Sequence, residues 1–461
     1  MDVSDTFDPC FYEFGDKRRT ERFKKIVEAF IAHPGASIPQ ACKSASTSKA
    51  AYRFIESKAV STEKIDQGTE RTTLSRILSL DIVLVPQDTT YYNYDTLKHT
   101  TGLGPIDSRK TRGMLMHSGY AVRPDGHPLG LLYRNEWTRD EKEFGKKEHR
   151  RKKTTEEKES QRWIDCEAAV ESCVPSSVHI VFLCDREGDF YDHLGRTRPP
   201  NSDIIVRVAQ NRLVEDKVVR TLFDKLETST PCGTYEVTTT DPQSGKPRRA
   251  VVTYRYTEVE LLPPKGRLIA ENHAVRAWAI MAREENPPEG TRGLDWKLLT
   301  TIEITNDEMA LQMIRWYCLR WIIERFHYVM KSGCHVEELQ LKTVDRLDKT
   351  LALFAVIASR ILYMTYYARK DPNESASAIL TAIEWKALHC AVHKTGTPPT
   401  APPTVLEAVR MIGQLGGFMG RKRDGMPGVK VLWRGMQKLS VFAEAYELFV
   451  NIERKKDVGK D

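Results

Sequence analysis

Between residues 18 and 32 the apolar positions Phe23, Ile26, Val27, Phe30 and Ile31 recur at spacings of three and four, one face of a helix. His33-Pro34-Gly35 is predicted to stop it. Short second and third helices are predicted from Ser37 to Cys42 and from Ser46 to Ile55, with Ser or Thr available as caps. Residues 1 to about 70 thus read as helical. From Asp81 the pattern changes. Asp81 to Gln87 is a short run rich in β-branched residues, a predicted strand that delivers Asp88-Thr89-Thr90 at its end. Leu115 to Val122 is a second strand, followed by the turn Pro124-Asp125-Gly126. Glu156 to Cys173 reads as helix. Val178 to Cys184 reads as a buried strand that delivers Asp185-Arg186-Glu187-Gly188-Asp189, and Asp203 to Val208 as another strand. Such interleaving predicts an α/β core.

Residues 212 to about 300 break that rhythm. Tyr235–Thr240 and Ala250–Tyr256 flank the turn Asp241-Pro242-Gln243-Ser244-Gly245, and Val275–Met281 and Trp296–Ile302 read as further strands, a β-rich insertion. One long helix is predicted from Asp307 to Met330, ended by Ser332-Gly333, and an apolar one from Leu351 to Ala368. Thr395 to Thr404 is a proline-rich linker. The remainder reads as helical apart from Leu415-Gly416-Gly417. The apolar spacing at Val405, Leu406, Val409, Met411 and Ile412 suits a buried helix face.

Composition narrows the class. With 461 residues, 40% hydrophobic and 29% charged, the chain is globular in character and not wholly disordered. No apolar run approaches the roughly 18 residues of a membrane span. The acidic start carries no signal-peptide layout, so a cytoplasmic protein is expected. Nine cysteines without a CxxC pair predict free thiols and no structural zinc. The net charge of +7 permits nucleic-acid binding without requiring it. Its distribution says more: Lys17 to Lys25, with Arg18, Arg19 and Arg22, is strongly basic, and Arg421-Lys422-Arg423 with Lys430 forms a second patch. The mixed-sign run from Arg139 to Arg162 reads mostly as a solvated face. From charge pattern alone, the N-terminal helices could be a helix-turn-helix type DNA reader or a helical cap on the next domain.

Two strands therefore end in aspartates, Asp88 and Asp185, and Glu324 lies on the predicted long helix. At about 100° per residue, Tyr317, Arg320, Glu324 and Lys331 share one stripe with Trp321 beside it. A salt-bridged surface stripe would explain Arg320 and Glu324 by themselves. Three carboxylates from two strands and a helix also suit hard divalent cations such as Mg²⁺. Arg320 and Lys331 would then hold phosphates, and Trp296 and Trp321 would offer stacking faces to an unpaired base.

These residues carry a resemblance. The chain resembles the DDE transposases of the IS4 family, in the subgroup that includes the Tn5 and Tn10 transposases. Tyr317, Arg320, Glu324 and Lys331 fit the family's spaced Tyr-Arg-Glu-Lys signature, and the two acids sit in Asp88-Thr89-Thr90 and Asp185-Arg186-Glu187-Gly188-Asp189. Gly15 to Thr20 with Ala51 to Ile55 is similar to the family's end-recognition domain, which places Arg18, Arg19, Arg22 and Arg53 on DNA. Glu157 to Ser160 and Leu415 to Phe418 echo further family blocks. The resemblance implies an RNase H-like, retroviral-integrase-type core at 71–372 with the insertion at about 212–300. An all-α DNA-binding domain at 1–70 and a helical dimerisation domain at 373–461 would flank it. It implies Asp88, Asp185 and Glu324 as ligands of two Mg²⁺ ions, with Mn²⁺ able to substitute, and Trp296 and Trp321 as partners of a flipped base. Arg207 and Arg212 would contact DNA, and Tyr191, where a relative has His, takes no role. The implied activity is cut-and-paste transposition by a homodimer on terminal inverted repeats and target DNA, at the bacterial nucleoid, without a membrane. Two other readings compete: a DNA-binding protein that has lost catalysis, and a nuclease that cuts without joining. A two-carboxylate glycoside hydrolase leaves the basic helices unexplained.

Overall fold

The computed structural model describes residues 7–33, 36–145, 153–240, 247–265, 273–291, 293–421 and 424–458. Pro34, Gly35, the turn Asp241–Gly245, Lys422 and Arg423 lie outside them.

Four helices open the chain: α1 (Lys17–Ala32), α2 (Ile38–Cys42), α3 (Ala45–Glu56) and α4 (Thr62–Ile77). Asp16, Ser44 and Ser61 cap α1, α3 and α4 through their side chains, each accepting from a backbone N–H of the first turn. The predicted apolar face of α1 is buried at Phe23, Ile26, Val27 and Phe30. Phe30 packs edge-on to Phe354, with ring centroids 4.9 Å apart.

The strands are β1 (Ile82–Asn93), β2 (Gly104–Pro105), β3 (Arg112–Val122), β4 (Pro128–Trp137), β5 (His179–Cys184), β6 (Ser202–Arg207), β7 (Gly233–Thr240), β8 (Pro247–Leu261), β9 (Val275–Arg283) and β10 (Asp295–Thr300). They form one mixed sheet, ordered β2-β3-β1-β5-β6-β10-β9-β8-β7, with β4 on the far side of β3. β1, β5 and β6 run parallel, and every other pairing is antiparallel. The β-rich insertion is therefore not a separate body, because its strands prolong the core sheet from β6 outward.

Alternation along the central strands divides the core into two layers. Leu84, Val181, Leu183 and Ile205 face the N- and C-terminal helices. Val83, Val85, Ile180, Phe182, Ile204 and Val206 face the opposite layer, where α5 (Gln161–Cys173) contributes Trp163 and Val170. Two short helices, α6 (Tyr191–Leu194) and α7 (Leu222–Thr228), follow β5 and β6.

The sequence predicts one helix from Asp307 to Met330, and here the structure differs. α8 (Asp307–Cys318) and α9 (Trp321–Tyr328) are joined by a tight turn, in which Leu319, Arg320, Ile322 and Ile323 each donate to the third residue back. A π-helical turn, Val329–Gly333, closes the segment. Such local changes of pitch are frequent at functional sites. α10 (Val344–Lys370), α11 (Ala382–His393), α12 (Val405–Leu415) and α13 (Val429–Val458) complete the chain. Among the described residues one helix, α10, is long and apolar enough to cross a membrane, and 89% of its apolar window is buried inside the protein.

Candidate active site and nucleic-acid interface

Asp88 and Asp185 are brought together by strand register. Pro86 of β1 pairs with Leu183 of β5 in parallel, and each aspartate lies two residues further on. Adjacent strands are about 4.8 Å apart, so the two carboxylates share one edge. The sequence places Asp88 at a strand end, whereas β1 continues to Asn93, because pairing with β3 persists after β5 has stopped. Asp88 Oδ1 accepts from the Thr89 N–H at 2.8 Å. Asp185 Oδ1 accepts from the Glu187 N–H at 2.7 Å and caps a short 3₁₀ turn, Arg186–Gly188. That turn fits only glycine at 188, where a Cβ would lie 2.9 Å from Cys184 Cβ.

Glu324 arrives from α9 and accepts from Arg320 at 2.7 Å. Burial raises the Asp88 carboxyl to about 7, with Asp185 and Glu324 adding to the rise and Arg320 opposing it. The predicted triad is thus one electrostatic unit whose negative charge Arg320 only partly offsets. Hard carboxylate oxygens crowded in this way fit an oxygen-seeking divalent cation.

The remaining predicted groups separate by environment. Arg320 is buried, with its guanidinium 4.9 Å from the Trp321 ring. Trp321 is 52% exposed. Trp296 is nearly covered and meets Tyr317 edge-on at 6.1 Å. Burial pushes the Tyr317 phenol up, against the pull of Arg320 and Arg207. Arg207, at the end of β6, is thereby placed in the site. Burial lowers the Lys331 ammonium, while Glu337 and Asp88 pull it back up. Its Nζ lies 4.5 Å from the Tyr91 ring. Arg212 is buried instead of being presented at the surface: it pairs with Asp189 at 2.5 Å and donates to the Asp189 carbonyl at 2.8 Å.

Sequence reasoning set His327 aside as an ordinary histidine beside the motif and assigned no role to Ser118. The imidazole Nε2 lies 2.7 Å from Ser118 Oγ, and Nδ1 lies 4.0 Å from Asp88 Oδ2. Burial lowers His327 to about 3, so the ring is neutral. Its position one helical turn after Glu324 was the available signal. Glu167, Cys184 and His193 also cluster within ligand distance of one another. Glu167, however, already accepts from His193 at 2.6 Å, Arg196 at 2.8 Å and Arg198 at 2.9 Å, and the two guanidiniums oppose a further cation.

The basic N-terminal residues form a different surface. Arg18 and Arg22 on α1 are exposed, and Arg19 donates to the Phe14 carbonyl at 3.3 Å. Arg53 on α3 is exposed and lines an open groove with Lys43, Lys49 and Tyr52. At the other end, α13 exposes Val441, Phe442, Leu448 and Phe449. Two family models match the chain: Transposase DNA-binding over residues 11–60, and Transposase Tn5 dimerisation domain over residues 356–451. The first covers the basic helices, and the second covers the exposed apolar stripe.

Proposed function

We propose that this chain, whose ends match a transposase DNA-binding model and a Tn5 transposase dimerisation model, is a Tn5-like transposase of the IS4 family that binds terminal inverted repeats and catalyses cut-and-paste DNA transposition. The observation that carries this reading is the convergence of Asp88, Asp185 and Glu324 beside Arg320, which supports a phosphoryl-transfer site in the region between the two matched segments. The strand order β4-β3-β1-β5-β6, an antiparallel meander leading into parallel strands with helices on both faces, supports an RNase H-like core. The helices up to about residue 70 serve as the end-binding domain, 71–372 as the catalytic core and 373–461 as the dimerisation domain. Two copies joined through the exposed face of α13 would hold two ends, inside the cytoplasm at the nucleoid.

Asp88, Asp185 and Glu324 would hold two Mg²⁺ ions, with Mn²⁺ able to substitute, and such ions polarise the phosphate and favour ionisation of the attacking hydroxyl when bound. Water attacks at the transposon end and frees a 3′-OH. That hydroxyl attacks the opposite strand to make a hairpin, a second water opens it, and the freed end attacks target DNA. Arg320 holds Glu324 in place and, with Lys331 and Arg207, offsets phosphate charge. The Tyr317 phenol positions phosphate; burial disfavours its ionisation, and the proposed steps need no covalent protein adduct. Arg212 is left out of the DNA-contacting set because its guanidinium is committed to Asp189.

The test is DNA carrying both natural flanks of the gene, incubated with the protein and Mg²⁺ and resolved on a denaturing gel, with Asp185→Ala as control. Nicks, hairpins and strand-transfer products that vanish in the control are expected. Specific binding without cleavage in either Mg²⁺ or Mn²⁺ would refute the catalytic reading. Trp296→Ala is expected to nick normally and to form hairpins several-fold less well, since stacking of one base is worth about 1–3 kcal/mol. An unchanged hairpin yield would remove Trp296 from the base pocket.

A further inference from the structure

Arg162 sits in the first turn of α5, in the charged run that the sequence pattern assigns to solvent. Its side chain is only 13% exposed. The guanidinium lies 5.9 Å from the Trp137 ring and 5.8 Å from the Trp163 ring. Nε donates to Thr89 Oγ1 at 2.7 Å, one terminal nitrogen donates to the Glu159 carbonyl at 2.7 Å, and the other pairs with the Glu187 carboxylate. Thr89 follows Asp88 directly, and Glu187 stands two residues after Asp185 in the turn that Asp185 caps. One planar cation thus spans the two segments that carry the acids.

The hydrogen-bond directions at Thr89 are determined. His117 is fully buried and held neutral by that burial. Its Nε2 faces Gln87 Oε1 at 3.0 Å and so carries the ring proton. Nδ1, 2.9 Å from Thr89 Oγ1, must then accept. The Thr89 hydroxyl therefore donates to His117 and accepts from Arg162, which fixes its rotamer and the backbone next to Asp88. At the other end, Glu187 is held by Arg162 while its own N–H donates to Asp185.

We propose that Arg162 is a positioning residue that holds Asp88 and Asp185 at the separation a divalent cation needs. The inference rests on reading the acids as a metal site. Arg162 touches neither ion nor DNA in this role. Lysine would keep the charge but lacks the fork that reaches Thr89 and Glu187 together.

The test uses full-length protein and Mn²⁺ as probe, with free Mn²⁺ followed by electron paramagnetic resonance. Thermal midpoint, end binding and the Mg²⁺ dependence of nicking are measured alongside. Outer-shell partners of metal ligands typically contribute 10–100-fold in affinity. Arg162→Lys is expected to weaken Mn²⁺ binding by about that factor, and to raise the Mg²⁺ concentration for half-maximal nicking equally. The rate at saturating Mg²⁺ and end binding should stay close to those of the unaltered protein. Thr89→Val, which keeps the β-branched shape, is expected to shift both readouts in the same direction, and Thr89→Ser to restore them. These variants keep the proposal testable should Arg162→Lys fold poorly. Mn²⁺ binding lost in Asp185→Ala but unchanged in both Arg162→Lys and Thr89→Val overturns the clamp alone. Mn²⁺ binding indifferent to Asp185→Ala overturns the metal-site reading, and the clamp with it.

Discussion

Asp88→Asn is expected to lower end cleavage by at least about 10³-fold while leaving end binding intact. Removing one preorganised donor from a site of developing charge costs about 10²–10³-fold, and loss of a metal-binding carboxylate removes more than one such interaction. The unaltered protein should show a matching pH signature. Its Asp88 carboxyl is raised to about 7 by burial, then by Asp185. A carboxyl raised in the fold contributes stability that is full below its unfolded value and is lost as pH rises through 7. Metal binding requires the ionised form, so apparent Mg²⁺ affinity should fall about tenfold per pH unit below 7. Thermal melts with and without Mg²⁺ check this: stabilisation by Mg²⁺ should be larger at pH 8 than at pH 6, and absent in Asp88→Asn. Equal Mg²⁺ effects at both pH values would remove Asp88 from the ligand set.

The second large effect concerns stability. Arg134 on β4 has a fully buried side chain. It grips Asp66 of α4 with two bonds of 2.9 Å, reaches Asp348 of α10 at 3.1 Å and pairs with Glu136. This cation joins the N-terminal helices, the sheet edge and the central helix. Arg134→Met leaves three carboxylates without their cation, a change that typically costs about 3–5 kcal/mol. Burial already raises Asp66 in spite of Arg134, and removing the cation raises it further. The sign is the same as for Asp88: the folded variant favours protonation, so its deficit is smaller at pH 5 than at pH 8. Urea midpoints at the two pH values measure it. A variant as stable as the parent at pH 8 would show that the cluster contributes nothing net.

Local pattern carried the strands of the acids and the N-terminal helices, because alternation and helical spacing are properties of short segments. β4 escaped it. Its start, Pro128-Leu129-Gly130, combines a missing donor with a glycine at φ 146°, and its pairing with β3 shifts register twice. Such residues demote a strand when read singly. Missing β4 also hid Trp137, and with it the wall that takes Arg162 out of solvent. The surroundings of Arg212 and Trp296 were hidden for a related reason: they come from Asp189 and Tyr317, partners from other parts of the chain. The triad was legible through its spaced motif, but the crowding that raises Asp88 arises only when β1, β5 and α9 meet.

The continuation of the core sheet from β6 into β10 makes it a measuring device. Trp296 lies on β10 toward the edge where Asp88 and Asp185 end, because Leu298 pairs with Arg207 at the close of β6. Three strand spacings, about 14 Å in all, separate the strand of the first acid from that of the tryptophan. In the proposed reaction this span sets how far a displaced base travels from the phosphate being cut. Hydrogen-bond ladders hold it, so the gauge is already calibrated before DNA arrives. Lengthening a surface loop leaves it unaltered, whereas a slip of register between β6 and β10 would reset it.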